Sequence, residues 1–318
     1  MSGSLFAWVR ARPAFAWLWA AGFVSTVGDA FRAITVSLWL FEASGGSGPV
    51  MALATAVGVL STLLLGTLAG VWADRWERRR TLLACDLLRL LCSLGLVGAA
   101  ALHSVPLGLL ALAFLSGVSV LGEVASETTL PRVVEGADLE RANGLWVVMA
   151  QLSFIVAPLG AALVYSAYGA AYAFGVDALS FGLSALLLLR LPPLPTQEAT
   201  LRQPERGRIW QELMAGLRLI GQDRLISSSL LALSLRVLSG GINSVVVLFF
   251  IAQTLGQSAT DLVWLSTANG VAQVLTGSLV VAAAHRAALP VTLLGGLGVM
   301  VLGATAIALA PGPQGFGC

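Results

Sequence analysis

A small set of charged side chains lies inside long apolar stretches of this sequence, where a charge is hard to keep. Among them are Asp29, Arg32, Asp86, Arg89, Glu123, Glu127 and Arg236. Placing a charged residue near the centre of a membrane-spanning helix costs about 2.5–3.5 kcal/mol on insertion scales, so such residues usually have a function. Carboxylates in this setting can bind protons or cations, and arginines can bind anions or neutralise the carboxylates.

Asp29 and Arg32 are three residues apart, which places them on one face of a helix near the middle of the first apolar stretch. Two interpretations are open. Asp29 is either a proton-linked carboxylate that faces a central cavity, with Arg32 as its counter-charge, or one half of a structural pair. Asp86 and Arg89 repeat this spacing near one end of the third stretch, where we expect a structural network with Asp74.

Glu123 and Glu127 are four residues apart, so two carboxylates share one helix face and repel each other. This arrangement suits proton coupling or a cationic substrate. The alternative is that Glu127 caps the helix or pairs with Arg132, while Glu123 bonds Arg89.

Arg236 lies two helical turns before Asn243, in the seventh apolar stretch. The two residues could contact an anion across a central cavity, and Gly240-Gly241 could break the helix there, as at transporter binding sites. Alternatively, Arg236 pairs with a carboxylate of the first half of the chain.

Residue patterns typical of metal binding, redox chemistry, nucleotide binding or nucleophilic catalysis are not found in the sequence. The three Cys and two His show no metal-ligand or redox spacing, and no nucleotide-binding loop or nucleophile–base pair is recognisable. We expect Cys85, Cys92 and Cys318 to be small buried apolar side chains. The sequence therefore predicts neither an enzyme nor a metal or cofactor site.

The composition indicates which elements hold these charges. Of the 318 residues, 57% are hydrophobic and only 11% are charged, and the mean hydropathy is +0.88. Soluble domains carry about 25% charged residues, so a cytosolic enzyme, a disordered protein and a nucleic-acid-binding module are excluded. All 18 basic residues are Arg, and the net charge is only +2. The sequence predicts an all-α membrane protein with the lipid bilayer as a partner and no nucleic acid.

A helix needs about 20 apolar residues to cross a bilayer. Nine stretches meet this requirement, at roughly 14–41, 50–72, 81–102, 105–128, 142–165, 170–190, 225–254, 260–283 and 290–310. Most of the breaks between them are rich in Gly, Ser or Pro, for example Ser44-Gly45-Gly46-Ser47-Gly48-Pro49, which is typical of loops.

The positions of the arginines predict the orientation. If successive helices alternate in direction, every Arg outside the nine stretches falls on one side of the membrane, and the opposite loops contain none. Loops rich in Arg stay in the cytoplasm. We therefore expect a multi-pass protein of the cell (inner) membrane with a cytoplasmic N-terminus.

The stretches divide the chain into three parts. Residues 1–191 are predicted to form a six-helix bundle, and residues 225–318 three helices of a second bundle. Residues 192–224 form a cytoplasmic linker with an amphipathic surface helix, unless that helix only begins the seventh span.

The second group of helices resembles a repeat of the first. Gly66-Thr67-Leu68 and Thr81-Leu82-Leu83 recur at equal spacing as Gly277-Ser278-Leu279 and Thr292-Leu293-Leu294. A second half of equal size would contain six helices. We therefore expect a twelve-helix protein that is cut after its ninth helix.

The loop after the second stretch reads Gly70-Val71-Trp72-Ala73-Asp74-Arg75-Trp76-Glu77-Arg78-Arg79-Arg80. It resembles the Gly-x-x-x-Asp-Arg-x-x-Arg-Arg signature of the major facilitator superfamily; the alternative is an ordinary basic stop at the membrane surface. Further segments resemble the enterobactin-exporter and macrolide-efflux branch of that family. They are Gly28-Asp29, Asp86-Leu87-Leu88-Arg89, Leu130-Pro131-Arg132-Val133-Val134, Ala142-Asn143-Gly144-Leu145 and Asp177-Ala178-Leu179-Ser180-Phe181.

This resemblance implies a secondary active transporter with two helical bundles around a central cavity. It implies proton-coupled efflux, by antiport, of a hydrophobic or amphipathic small molecule such as a drug, a macrolide or a siderophore. It also implies a gating loop formed by Gly70, Asp74, Arg75, Arg78 and Arg79. We expect a monomer, and the other possibility is a truncated remnant that inserts into the membrane and does not transport.

Three segments depart from the family pattern. Glu77 replaces the usual Gly of the loop signature, and Ala157-Pro158-Leu159-Gly160-Ala161-Ala162 replaces the Gly-Pro-x-x-Gly-Gly of antiporters. In the second half, the copy of the loop keeps only His285-Arg286.

Overall fold

A computed structural model describes residues 5–75, 77–136 and 138–192, together with 221–222 and 227–228. Within these ranges, the side chains of residues 5, 6, 62, 63, 65–75 and 154 are outside the description. The described part contains seven helices and no strand: α1 (Leu5–Arg10), α2 (Pro13–Ala43), α3 (Gly48–Arg75), α4 (Arg78–Ala101), α5 (Val105–Val133), α6 (Asp138–Tyr168) and α7 (Ala170–Leu188).

The first six predicted spans coincide with α2 to α7. Among the described residues, α2, α4, α5, α6 and α7 are long and apolar enough to cross a membrane. α3 is 28 residues long, and its first part, Gly48–Ser61, is apolar. The predicted linker and second bundle lie almost entirely outside the described residues, so the boundaries at 191 and 224 stay predictions.

Local sequence explains where several helices begin and end. Pro13 opens α2 and Pro106 lies in the first turn of α5, where the missing N–H is not needed. Gly45 and Gly46 follow α2, and Gly169 separates α6 from α7; their φ angles of 63°, 75° and 84° favour glycine. These short turns return the chain across the bundle.

The bundle is organised around α2, α4 and α7. α2 packs against α7 and α6, α4 packs against α7 and α5, and α3 packs against α5. Glycines permit the closest approaches. A Cβ at Gly28 of α2 would lie 2.8 Å from the Cβ of Ser180 in α7, and one at Gly108 of α5 would overlap the ring of Trp39. Small residues at helix contacts are typical of membrane bundles.

The interior of the bundle is layered. One apolar cluster includes Leu38, Trp39, Leu96, Leu115 and Phe174. A second cluster, toward the other end of the same helices, includes Phe15, Leu18, Leu82, Leu130 and Leu188. Between the two lies a layer of buried polar side chains: Ser25, Asp86, Arg89, Ser93, Ser119, Asp177 and Ser184.

Large apolar side chains also cover the outside of the bundle. Leu87, Leu91, Leu163, Leu179 and Leu186 are all more than half exposed. Helices that are apolar on both their inner and outer faces are typical of membrane proteins. The described part is therefore an all-α integral membrane bundle, and its polar layer lies deep within the apolar span.

Candidate functional site

Arg32 lies between two carboxylates. Its Nη2 donates to Asp29 Oδ1 at 2.7 Å, and its Nη1 lies 3.9 Å from Asp177 Oδ2. Asp29 and Arg32 share one face of α2, as their spacing predicts, whereas Asp177 comes from α7. The side chain of Asp177 is fully buried, and Ser93 Oγ of α4 donates to its Oδ2 at 2.7 Å.

Arg89 of α4 is the centre of a second buried cluster. Its Nη1 lies 3.5 Å from Asp86 and donates to Ser25 Oγ at 3.2 Å, and its Nη2 donates to the carbonyl of Ser119 at 2.8 Å. Asp86 also accepts a hydrogen bond from Ser184 Oγ at 2.6 Å. These bonds join α2, α4, α5 and α7. The predicted link to Asp74 lies outside the described side chains.

A cavity of about 100 Å³ opens beside these clusters. The charged side chains that line it are Asp29, Asp86, Arg89, Glu123 and Glu127. Trp146 of α6 adds an aromatic wall, and its ring packs against Gly22, where a Cβ would lie only 3.1 Å away. The structure thus brings together five of the charged residues that the sequence singles out.

The charge balance around the cavity is negative. Among the described lining residues, the carboxylates of Asp29, Asp86, Glu123 and Glu127 outnumber the guanidinium of Arg89, and Arg32 adds one further cation beside Asp29. Charges interact strongly where water is scarce, so an excess of carboxylates attracts protons or a cationic group. The cavity is therefore suited to binding protons or a cationic group.

Two arginines of the predicted gating loop make contacts within this bundle. Arg78 is buried and donates to Thr128 Oγ1 of α5 at 3.0 Å, and Arg79 donates to the carbonyl of Leu189, just after α7, at 2.6 Å. Both contacts tie the start of α4 to neighbouring helices. Of the other predicted loop residues, the surroundings of Gly70 and the side chains of Asp74 and Arg75 lie outside the description, as does Arg236.

The sequence pattern does not single out Asp177 as a partner of Arg32. Asp177 enters only as part of a family-like segment, although an Asp within the apolar stretch 170–190 carries the same insertion cost as Asp29. This insertion cost was the feature of the sequence that could have indicated a role for Asp177. The identity of the partner required the packing of α7 against α2.

The contact of Asp138 with the N-terminal segment is also not apparent from the sequence. Trp8 Nε1 donates to Asp138 Oδ1 at 2.8 Å, and Arg12 forms an ion pair with Asp138 Oδ2. Arg12 and Arg141 lie over the ring of Trp8, at 4.5 and 5.7 Å from its centroid. This contact holds α1 against the start of α6, at the end of the bundle remote from Asp29.

Comparisons with known proteins agree with this architecture. The Major Facilitator Superfamily model matches residues 18–317. The enterobactin exporter EntS of Shigella boydii serotype 18 is 25% identical over 224 residues, which cover 69% of this chain and 51% of the exporter. Macrolide efflux protein A of Streptococcus pyogenes is 26% identical over 205 residues, which cover 63% and 50% of the two chains. The chain therefore spans about half the length of these curated relatives.

Solved structures share the fold. A crystal structure of the nucleoside transporter NupG superimposes with a TM-score of 0.65 at 16% identity, covering 84% of this chain and 66% of that one. The peptide transporter POT gives a TM-score of 0.62 at 14% identity, covering 86% and 70%. These identities support the fold alone. Because the family match covers almost the whole sequence, the chain belongs to the major facilitator superfamily.

Proposed function

We propose that this chain acts in proton-coupled efflux of a hydrophobic or amphipathic small molecule, as a secondary active transporter. The family match supports transport, and the names of two relatives, an enterobactin exporter and a macrolide efflux protein, support the outward direction and this class of substrate. In such a transporter, two bundles rock about a central site and expose it to each side in turn.

The observation that carries the proposal is the cavity with its excess of carboxylates. Asp29 lines the cavity and its side chain is 27% exposed, although it lies within a membrane-spanning helix. A carboxylate there that can be reached by water can take up a proton on one side and release it on the other. Glu123 and Glu127 line the same cavity and provide further positions for a proton or for a cationic group of the substrate.

The remaining features of the proposal follow from the sequence. The Arg distribution supports a cytoplasmic N-terminus in the cell membrane, and the loop around Asp74 supports a gating latch whose carboxylate bonds in one conformation only. Arg78 and Arg79 would anchor that latch, since both already bind neighbouring helices. Each transporter would work as a monomer.

The test is transport in proteoliposomes by protein produced from its complete reading frame, with enterobactin and a macrolide as probes. We expect an imposed pH gradient to drive uphill movement of at least one probe. Asp29→Asn should abolish the response to the gradient, because its amide cannot bind a proton, while exchange without a gradient continues.

Asp138→Asn is the matched control, because it also removes one carboxylate, but one that binds Trp8 and Arg12 and does not line the cavity. It should respond to the gradient as the wild type does. Undiminished gradient-driven transport by Asp29→Asn would exclude Asp29 as the coupling group. If neither probe moved under any gradient, the proposed substrate class would be wrong.

A further inference from the structure

An open apolar groove runs along the outside of the bundle, between the second half of α4 and the first part of α7. Its volume is about 790 Å³, and the end of α6 completes one wall. Among the described residues that line it none is charged, and the polar side-chain groups are the hydroxyls of Tyr168 and Tyr172. The groove shares no lining residue with the cavity beside Asp29, so it is a separate feature of the molecule.

Two glycines of α7 shape the groove. Gly175 and Gly182 are seven residues apart and therefore lie on one face of the helix. A Cβ at Gly175 would meet nothing within 4 Å, whereas one at Gly182 would lie 3.2 Å from Cδ1 of Leu90 in α4. The groove is therefore open beside Gly175 and closed where Leu90 packs on Gly182.

The length of the groove matches one leaflet of a bilayer. From Ala171 to Gly182, α7 rises about 16 Å at about 1.5 Å per residue. The hydrocarbon core of a membrane is about 30 Å thick, so one leaflet contributes about 15 Å. Leu90, at the closed end, lies midway along α4, and the open end lies where the loops carry no Arg. The groove thus extends from the edge of the apolar span to its middle.

Two tyrosines lie at the open end of the groove. Tyr168 ends α6 and Tyr172 lies in the first turn of α7; both are 67% exposed, and their ring centroids are 5.8 Å apart. Tyrosine is enriched where the hydrocarbon core meets water, because its ring is apolar and its hydroxyl forms hydrogen bonds. The groove therefore has an apolar interior and a hydrogen-bonding rim at the level of the lipid headgroups.

The groove is continuous with the lipid-facing surface of the bundle. Leu179, on its wall, is 73% exposed, and Leu91 and Leu183 of the same two helices are exposed as well. The bilayer covers this surface, so hydrocarbon chains are the material that surrounds the groove. An unfilled groove would leave its apolar lining without dispersion contacts on one side.

The width of the groove distinguishes a hydrocarbon chain from a helix as its occupant. Spread over a length of about 16 Å, the volume gives a mean cross-section of about 50 Å². A helix with its side chains is about 10–12 Å wide and needs about 80 Å² or more. A helix of a second copy of this chain is therefore too wide to enter, whereas an unbranched hydrocarbon chain is narrower.

We propose that the groove is a binding site for one membrane phospholipid, whose acyl chain lies against Gly175 and ends where Leu90 meets Gly182. The hydroxyls of Tyr168 and Tyr172 donate to ester or phosphate oxygens of the same lipid. No covalent bond forms or breaks. The site goes beyond the proposed transport function, because it lies outside the cavity and does not depend on which molecule is moved.

The bound chain completes the packing of α4 against α7. On the inner side of this helix pair, Ser93 donates to Asp177 at 2.7 Å and Ser184 donates to Asp86 at 2.6 Å. On the outer side, the groove separates the same two helices beside Gly175. An acyl chain in the groove therefore stabilises the pair of helices that carries most of the polar layer, and its removal should lower the melting temperature.

The decisive measurement counts the phospholipids that stay bound after prolonged washing in mild detergent, by native mass spectrometry of the protein produced from its complete reading frame. Gly175→Leu fills the open part of the groove, so the wild type should retain one phospholipid more than this variant. Gly98→Leu is the matched control, because a Cβ at Gly98 of α4 also meets nothing within 4 Å and the residue does not line the groove. It should retain as many phospholipids as the wild type.

Leu94→Trp fills the groove from α4, and it serves if Gly175→Leu does not fold. Leu94 is half exposed on the wall, so a larger ring can enter the groove without displacing the core. This variant should also lose one phospholipid. Equal retention by the wild type and by every filling variant that folds overturns the site. An equal loss in Gly98→Leu overturns it too, and so does a dimer that the filling variants dissociate, which would assign the groove to a second copy.

Thermal unfolding separates binding in the groove from a general effect of lipid. Delipidated wild type should gain about 2–4 °C or more in Tm with dipalmitoyl phosphatidylglycerol. The didecanoyl form should give a smaller gain, because its chains are too short to fill the groove as far as Gly182. Gly175→Leu should gain little from either lipid. Equal gains with both lipids in the wild type, or a gain in Gly175→Leu as large as in the wild type, would show that lipid acts over the whole surface and not in this groove.

Discussion

Glu77 shows how one side chain explains a departure from a family pattern. Its position in the loop before α4 is usually a glycine in the signature that this loop resembles. In the structure its Oε1 and Oε2 accept hydrogen bonds from the backbone N–H groups of Arg79 and Arg80, both at 3.0 Å. A carboxylate at a helix N-terminus accepts hydrogen bonds from the free N–H groups of the first turn. It also interacts favourably with the positive end of the helix dipole. Glu77 therefore caps α4 and fixes where the helix begins.

Replacing this cap should destabilise the bundle measurably. We expect Glu77→Ala to reduce stability by about 0.5–2 kcal/mol, because two N–H groups lose their acceptor. Glu77→Ser should recover most of the loss, since serine is a favoured cap. Thermal unfolding of the purified protein in detergent is the measurement. Equal melting temperatures for Glu77→Ala and the wild type would show that the cap contributes nothing.

Among the helices, the contact between α2 and α7 determines which side chains of the polar layer come close together. Gly28 and Ser180 are in tight contact between the two helices, one residue from Asp29 and three from Asp177. The approach of Arg32 to Asp177 depends on this short distance. A methyl group at position 28 would be forced into Ser180, so the helices would have to separate.

Gly28→Ala should therefore destabilise the protein by about 1–3 kcal/mol, the usual cost of overpacking. Gly175→Ala is a matched control in α7, because a Cβ there meets nothing within 4 Å. Its effect should stay within about 0.5 kcal/mol of zero. Both variants are measured by thermal unfolding in detergent. Equal losses in the two variants would show that glycine matters for helix flexibility and not for this contact.

For the whole molecule, the order of the helices places the Arg-containing loops at one end of the bundle and the loops without Arg at the other. Ser47 lies in the turn between α2 and α3, at the end where the loops carry no Arg. Glu135 lies between α5 and α6, at the end that carries Arg132 and Arg141, and it is exposed. From the positive-inside rule we propose that the second end faces the cytoplasm.

Cysteine labelling tests this orientation directly. In a background without Cys85, Cys92 and Cys318, we expect Ser47→Cys to react with a membrane-impermeant maleimide in intact cells. Glu135→Cys should react only after the membrane is opened. The reverse pattern would invert the topology and place the N-terminus outside. Labelling of both in intact cells would mean that the predicted alternation of spans is wrong.

The sequence by itself determined the family, the first six helices and the local ion pairs. Hydropathy locates a spanning helix because every backbone polar group in a membrane must be bonded within the helix, which leaves few alternatives. The Asp29–Arg32 and Asp86–Arg89 pairs are local as well, since a spacing of three places both residues on one helix face whatever the neighbours do. In the structure, Arg32 lies 2.7 Å from Asp29 and Arg89 lies 3.5 Å from Asp86.

Only the tertiary structure decided which helices share these charges. Asp177 approaches Arg32, Ser184 bonds Asp86, and Ser25 bonds Arg89, each across two different helices. Helices that are apolar on all sides do not indicate from their sequence which face turns inward, because lipid and protein interior are equally apolar. Close packing at glycines such as Gly28 and Gly108 determines which face of each helix turns inward. It thereby brings Arg32 between the carboxylates of Asp29 and Asp177.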